Sequence, residues 1–316
     1  MTIAACYLSA EGVILGADST STSTLTIAGE KSIQHLEYAQ KIFEIGEKGT
    51  LAIVCWGMGS VGSTSFRTMA AELGDELTGN PNYTVQGAVD WWRDKFWSLY
   101  EVAEATQISR AIQLMPRIAE LSAKSIAGTL TETEKDEVKA VEKEINELNA
   151  HGGGFCLGGR DAKDRTPHAF QVVYDPFKER TNSVTSLPIG WAFWGCPDIV
   201  QRIIYGIDRT AKEKILASGK WTGTPADLDA ALTPINLQPY TILPLREAVD
   251  WIHSMLYATL KAYKFSMLPS LCGGPIDIAL VSSDRPFRWI RHKSLGAAII
   301  RSDHNLGEVL DGYLRG

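Results

Sequence analysis

The sequence lacks the features that mark membrane, secreted and zinc-binding proteins. It has no apolar run of about 18 residues that could cross a bilayer. Its start lacks the basic region, apolar run and small-residue cleavage site of a signal peptide. The five cysteines are scattered and odd in number, which favours reduced thiols, and the six histidines show no HExxH-like spacing. We therefore expect a cytoplasmic protein without a metal or other cofactor.

A large excess of charge of one sign is also missing. The chain has 31 Lys and Arg against 37 Asp and Glu, a formal net charge of −6. This mild acidity argues against nonspecific nucleic-acid binding. The composition, 45% hydrophobic and 22% charged, is ordinary for a globular protein. We expect the 316 residues to bury a substantial core, with neither nucleic acid nor a membrane as a partner.

Strand-like and helix-like patterns alternate along the chain. Short strands with turn residues between them are expected at 3–9, 13–17, 41–45 and 51–56. Helical spacing of apolar residues runs from 64 to 149, strand patterns return between 153 and 187, helices are expected between 198 and 264, and the last strands at 276–282 and 287–291. This order predicts an α/β (α+β) fold: a four-layer αββα sandwich of two stacked antiparallel sheets flanked by helices.

We expect residues 1–316 to form a single domain with two insertions. The first, at about 108–150, has the pattern of an antiparallel helical hairpin that turns near Gly128. Its second helix is highly charged, which is typical of a solvated outer helix, although a partner site would look the same. The second insertion is a connection at about 219–238 that contains Gly and Pro. Either insertion could cap a site, alter subunit packing or bind a partner.

The residue after the initiator methionine is a threonine. Its small side chain permits removal of Met1, which would give Thr2 a free α-amine. One residue would then hold a hydroxyl nucleophile and a base with an ordinary pKa of about 7.7–8.0. A Met-Thr start is common, so this signal is weak by itself.

Two charged residues strengthen the signal. Asp18 ends the hairpin that begins at Thr2, so the hairpin returns it to the neighbourhood of its start. Strand alternation places Lys41 on the same inward face as Phe43 and Ile45. A lysine there is costly unless it is paired, and Asp18 is the natural partner. A buried ammonium beside the Thr2 hydroxyl would lower the pKa of that hydroxyl and orient it.

Gly57 follows the next strand. A glycine there allows its backbone N–H to approach a substrate carbonyl closely and to stabilise an oxyanion. Gly57 and Gly59 would also suit a simple strand-to-helix turn. The residues alone leave both interpretations open.

Together these segments resemble the first third of a proteasome β subunit, which is an N-terminal-nucleophile (Ntn) hydrolase. The spacing from Thr2 to Asp18 is the same as in that family, whereas the loop before Lys41 is longer. Later segments resemble the family's middle hairpin and the strand that follows its last long helix. The chain is identified as a divergent, bacterial-type member with helical insertions. The matching segments are Thr2-Ile3-Ala4, Gly12-Val13-Ile14-Leu15-Gly16-Ala17-Asp18, Lys41-Ile42-Phe43-Glu44-Ile45, Trp56-Gly57, Gly158-Gly159-Arg160-Asp161 and Gly273-Gly274-Pro275-Ile276-Asp277-Ile278-Ala279.

The resemblance implies a proteasome-like fold and a threonine-type hydrolase that cleaves peptide or amide bonds through an acyl-enzyme. Thr2 would be the nucleophile, Asp18 and Lys41 its activators, and the Gly57 amide the oxyanion donor. The α-amine of Thr2 would move the proton, through a water molecule. The implied substrate is a peptide or protein, and the implied assembly is a homo-oligomer, for which a ring is one option.

The sequence departs from the family in the support around the nucleophile. Alignment on Gly273 puts Pro269 where the family has an aspartate and Cys272 where it has a serine. Cys272 is a weaker donor than serine, and a proline side chain accepts no hydrogen bond. Cys272, Ser270 and Asp277 are the candidates for secondary support.

Two other functions remain open. One is a noncatalytic assembly or scaffold protein with the same fold, although a buried lysine without a purpose would be a cost. The other is a peptide ligase that passes the acyl group from Thr2 to an amine instead of water. Hydrolysis and transfer begin with the same step, so the residues do not separate them.

Overall fold

The structure is a computed structural model that describes residues 2–27, 30–47, 49–80, 82–179, 183–237, 239–267 and 271–293. Its strands are β1 (Ile3–Ser9), β2 (Gly12–Ala17), β3 (Ser21–Ile27), β4 (Glu30–Leu36), β5 (Ile42–Ile45), β6 (Leu51–Gly57), β7 (Ser60–Val61), β8 (Thr64–Ser65), β9 (Gly153–Arg160), β10 (Pro167–Tyr174), β11 (Val184–Ser186), β12 (Gly190–Gly195), β13 (Asp277–Ser282) and β14 (Arg288–Arg291). Its helices are α1 (Phe66–Thr78), α2 (Val85–Ala103), α3 (Ala105–Ile126), α4 (Glu132–Asn149), α5 (Asp198–Tyr205), α6 (Arg209–Ala217), α7 (Pro225–Leu232) and α8 (Leu245–Phe265), with a 3₁₀ turn at Thr233–Ile235.

Two five-stranded antiparallel sheets form the centre of the molecule. The first has the strand order β12-β1-β2-β13-β14, and the second β11-β10-β9-β6-β5. Every residue of β1, β2 and β13 is buried, because these strands are covered on both faces. This explains why their sequences are continuously apolar or small instead of alternating.

The apolar core between the two sheets is built mainly from small and medium side chains. Cys6 and Val13 from the first sheet lie in one cluster with Val54 and Cys156 from the second. Small residues in this layer allow the sheets to pack closely, which β-sandwiches require.

Helices cover the outer face of each sheet. Helices α1 and α2 pack on the second sheet through an aromatic cluster that includes Trp92, Phe96 and Phe155. Helix α8 packs on the first sheet, where Ile252 and Leu256 belong to the cluster around Tyr7. The predicted four-layer αββα sandwich is therefore confirmed.

The sequence missed several elements. No strand was expected between β2 and residue 41, but the structure has β3, which pairs with β4 in a two-stranded sheet. The region expected to be helical from residue 198 begins with two short helices, because the chain turns at Gly206 (φ +73°) and restarts where Asp208 caps α6. The connection at 219–238 contains α7, which begins with a capping box at Thr224.

The first insertion is the predicted helical hairpin. Helices α3 and α4 pack through a small cluster around Ala111, Leu114 and Leu148. Arg117 of α3 pairs with Glu137 of α4 across the hairpin. That all 316 residues form one domain with two insertions stays a prediction. Within the described ranges, no helix is long and apolar enough to cross a membrane.

Candidate active site

The β1–β2 hairpin brings Asp18 to the start of β1. The Asp18 amide donates to the Ile3 carbonyl, and the Ile3 amide donates back to Asp18 Oδ1, both at 3.2 Å. Thr2 lies directly before this pair and is buried. The short turn therefore places the predicted nucleophile and the predicted aspartate next to each other.

The Asp18 carboxylate is buried and accepts hydrogen bonds on both oxygens. Lys41 Nζ donates to Oδ1 at 2.6 Å, while the amides of Thr20 and Gly273 donate to Oδ2 at 3.2 and 2.9 Å. With the Ile3 amide this gives four donors to one carboxylate. Because a buried charge is tolerated only when it is paired and hydrogen-bonded, the arrangement fixes both Asp18 and Lys41.

Thr2, Lys41 and Gly57 line one pocket of about 140 Å³. Asp18 is not among the lining residues and reaches the pocket through its contact with Lys41. The structure thus brings together the four predicted catalytic residues. The remaining lining residues are Thr20, Ser21, Thr22, Ala39, Gln40, Cys55, Trp56, Met58, Gly59 and Phe66.

Gly57 ends β6 with a left-handed backbone, at φ +82°. A Cβ atom there would lie 2.8 Å from the Gly152 carbonyl oxygen. Both facts require glycine at this position for backbone reasons alone. The residue type therefore does not by itself identify an oxyanion donor, although Gly57 does line the pocket.

A second close backbone approach, at Gly195, was not predicted from the sequence. Gly195 pairs with Ile3 at the end of β12, and a Cβ on it would lie 1.8 Å from the Thr2 carbonyl oxygen. Only glycine lets β12 approach the start of β1 in this way. The next residue, Cys196, is buried. The only signal in the sequence was that β12 is a short aromatic segment with a glycine at each end.

The structure places Cys272 against Cys196 in the interior. The hydrogen bond between the two thiols lowers the pKa of Cys196 and raises that of Cys272, which burial raises further. The next residue, Gly273, donates its amide to Asp18. Cys272 therefore belongs to the shell around the site.

Burial also raises the pKa of the Cys55 thiol to about 12.

Asp277 does not line the pocket. Ala17 pairs with both Ala4 and Asp277, so β2 separates Asp277 from the strand that carries Thr2. The Asp277 carboxylate instead forms an ion pair with Lys293, a residue that the sequence did not indicate. Ser270 and Pro269, the other positions considered for support, lie outside the described residues.

Trp56, which lines the pocket, stacks on a tryptophan of the other sheet. The rings of Trp56 and Trp194 lie 4.6 Å apart and are inclined by 3°. Trp194 Nε1 donates to Gln171 Oε1 at 2.9 Å, which fixes the ring.

In the part of the chain that is described, no group of three or more His, Cys, Asp or Glu side chains could hold a metal ion.

No protein-family model matches the chain, and no curated protein matches it. The solved structures that are similar to the chain include two Anbu proteins. Anbu (ancestral beta-subunit) from Yersinia bercovieri has a TM-score of 0.44 and 11% identity, over 99% of this chain and 96% of that one. An Anbu (Gly-1) mutant from Hyphomicrobium sp. strain MC1 has a TM-score of 0.42 and 13% identity, over 100% and 96%. Because both TM-scores are low, the likeness identifies neither a family nor an activity.

The assignment of the chain to the proteasome β-subunit family is wrong. Both structures named above are Anbu proteins, which are proteasome-like but form a distinct family. Most of the matching motif residues, such as those of β2 and β5, are buried strand residues that hold the two sheets together. Their likeness therefore reflects the architecture and does not identify the family.

Proposed function

We propose that the chain is a threonine-type hydrolase that cleaves peptide or amide bonds through an ester on Thr2. The observation that carries the proposal is the buried Lys41–Asp18 pair, 2.6 Å apart, with Lys41 in the wall of the same pocket as Thr2. The proposal requires Thr2 to be the amino-terminal residue of the mature protein, with Met1 removed.

The chemistry of the pair supports this function. A buried ion pair is weak evidence for stability, because desolvation offsets much of the attraction between the charges. Asp18, which accepts four hydrogen bonds, holds Lys41 at the pocket wall. A role as a fixed positive charge therefore explains Lys41 better than a contribution to stability does. Beside Thr2, that charge favours the ionised form of the hydroxyl and lowers the pKa of the free α-amine.

The proposed reaction has two steps that begin and end at Thr2. Thr2 Oγ attacks the carbonyl carbon of the amide and gives its proton to the α-amine, through a water molecule. The Gly57 N–H stabilises the oxyanion. The C–N bond then breaks, the leaving amine takes the proton, and the acyl group remains as an ester on Thr2. Water attacks this ester, releases the acid and returns a proton to Thr2 Oγ.

We also propose that the protein works as a homo-oligomer. Large apolar side chains left exposed on a folded chain are candidates for contacts with another protein. Large apolar side chains are exposed along α2 and α3 and after α7; they include Val102, Ile112, Ile126, Tyr240 and Ile242. Light scattering coupled to gel filtration checks the proposal, and a monomer at micromolar concentration contradicts it.

A β-lactone probe tests the proposed activity. We expect one label per chain, located at Thr2 by peptide mass mapping, and release of the amine from a peptide amide that the same probe blocks. Thr2→Ala should abolish both signals. A matched variant, Thr129→Ala, removes an exposed threonine in the first insertion and should keep both. A folded wild-type protein that takes no label contradicts the proposal.

A further inference from the structure

A second buried ion pair lies outside the pocket. The side chains of Lys293 and Asp277 are 3% and 1% exposed, and their charged ends are in contact. The Lys293 amide also donates to Asp277 Oδ1 at 2.9 Å, and His292 Nδ1 lies 3.3 Å from the same oxygen. The Asp277 carboxylate therefore fixes both the backbone and the side chain of Lys293.

Another contact of Lys293 leads towards the site. Its Nζ donates to Ser19 Oγ at 2.8 Å. Ser19 is fully buried and follows Asp18 directly. The ammonium is thus held between the Asp277 carboxylate and the hydroxyl next to the predicted catalytic aspartate.

Ser19 joins three segments of the chain through its backbone. Its amide donates to the Gly273 carbonyl at 3.0 Å, and its carbonyl accepts from the Ala39 amide at 2.9 Å. Each of these segments also supplies a donor to Asp18. Gly273 supplies its own amide, and Lys41, two residues after Ala39, supplies its ammonium.

We propose that Lys293 is a positioning residue for the Asp18–Lys41 pair and acts through Ser19. Asp277 orients Lys293, Lys293 holds the Ser19 hydroxyl, and Ser19 holds the two segments that deliver the donors to Asp18. Lys293 is not among the residues that line the pocket, so it meets no substrate there. The inference rests on the proposed function of Thr2 and adds a remote support to it.

A purely structural role predicts something different. If the pair only fastened the chain after β14 to β13, its loss would lower stability without changing the chemical step. If it positions the site, loss of the link to Ser19 should slow acylation at an unchanged affinity for the probe. The two roles are separated by the maximal inactivation rate, kinact, and the half-saturating probe concentration, KI.

Ser19→Ala is the most selective variant, because it removes the Lys293 link and leaves both ion pairs in place. We expect kinact with the β-lactone to fall about tenfold, the equivalent of one side-chain hydrogen bond, with KI unchanged. Hydrogen exchange of the Ile3 and Gly273 amides, which donate to Asp18, should become faster. The matched control is Ser282→Ala, since Ser282 is a buried serine at the other end of β13 whose hydroxyl donates to Asp284 at 2.7 Å. Ser282→Ala should change neither kinact nor the exchange of these two amides.

A double variant, Asp277→Asn with Lys293→Met, keeps the test decisive if single charges are poorly tolerated. It removes both charges together, which buried pairs often tolerate, and the side-chain oxygen of the introduced asparagine can still accept the backbone amide of residue 293. We expect a folded protein with kinact lowered as in Ser19→Ala. Wild-type kinact and wild-type exchange in both variants overturn the proposal. If the wild-type protein takes no label, the proposed function fails, and the exchange of the Ile3 and Gly273 amides still decides the positioning role.

Discussion

Replacement of Lys41 by methionine removes the ammonium and keeps much of the side-chain volume. Asp18 would then be a buried carboxylate with three backbone amide donors, from Ile3, Thr20 and Gly273. Loss of one partner from a buried ion pair typically costs about 3–5 kcal/mol. Since the three amides remain, we expect the free energy of unfolding to fall by about 3 kcal/mol, at the lower end of that range.

The effect on chemistry should be larger than the effect on stability. Loss of one preorganised electrostatic contact in an active site typically costs about 10²–10³-fold in rate, so Lys41→Met should slow labelling of Thr2 by at least about 100-fold. Urea unfolding gives the stability, and intact-mass kinetics with the β-lactone give the rate. All comparisons are made on folded protein.

The second buried lysine provides a matched control. Lys293→Met also takes the ammonium away from a buried aspartate, so we expect a similar loss of stability. It should slow labelling only about tenfold, because Lys293 acts through a single hydrogen bond to Ser19. If Lys41→Met labels Thr2 at the wild-type rate, Lys41 has only a structural role and the activation scheme is refuted.

Three further predictions concern single positions. Gly57→Ala should lower the free energy of unfolding by about 1–2 kcal/mol, because residue 57 has a left-handed backbone. Gly59→Ala should be neutral, because a Cβ there meets nothing within 4 Å. Equal losses of stability for the two variants in urea unfolding contradict this. Asp208→Ala should destabilise by about 1 kcal/mol through the lost cap of α6. Burial would raise the pKa of Asp208, but hydrogen bonds from backbone amides and Arg202 outweigh it, so the pKa is lowered on folding. The difference in stability between Asp208→Ala and wild type should therefore be complete above about pH 4 and shrink below it. A difference in stability that grows in acid contradicts this. Because burial raises the pKa of Cys55 to about 12, iodoacetamide at about pH 8 should modify Cys55 only in unfolded protein.

The sequence was most informative where contacts are local. The first hairpin places Asp18 beside Ile3 through a short turn, so its location followed from strand pairing alone. The partnership of Lys41 with Asp18 followed from the cost of a buried, unpaired lysine. Strand alternation does not explain it, because Lys41 precedes β5, and Phe43 and Ile45 of that strand pack with α1 and α2. These two arguments were enough to bring three of the four predicted catalytic residues together.

Non-local contacts account for what was missed. Strand β12 pairs with β1 across more than 180 residues, and nothing local indicates that Gly195 must meet the Thr2 carbonyl. Lys293 is separated from Ser19 by 274 positions and follows a strand with a partly exposed, charged sequence. Asp277 was predicted to support Thr2, but the intervening strand β2 turns it towards a different partner.

The family assignment failed for a related reason. Short apolar strand motifs, such as the one in β2, are dictated by burial between two covered faces. Unrelated or distant sequences with the same four layers meet the same requirement. The motifs were therefore good evidence for the architecture and poor evidence for the family.

The central claim is that Thr2 is an amino-terminal nucleophile. Intact mass of the purified protein, before and after reaction with the β-lactone, tests it most directly. The account predicts a chain that lacks Met1 and gains one probe, which peptide mapping places on Thr2. A protein that retains Met1 and still hydrolyses amides, or a probe attached to another residue, contradicts it.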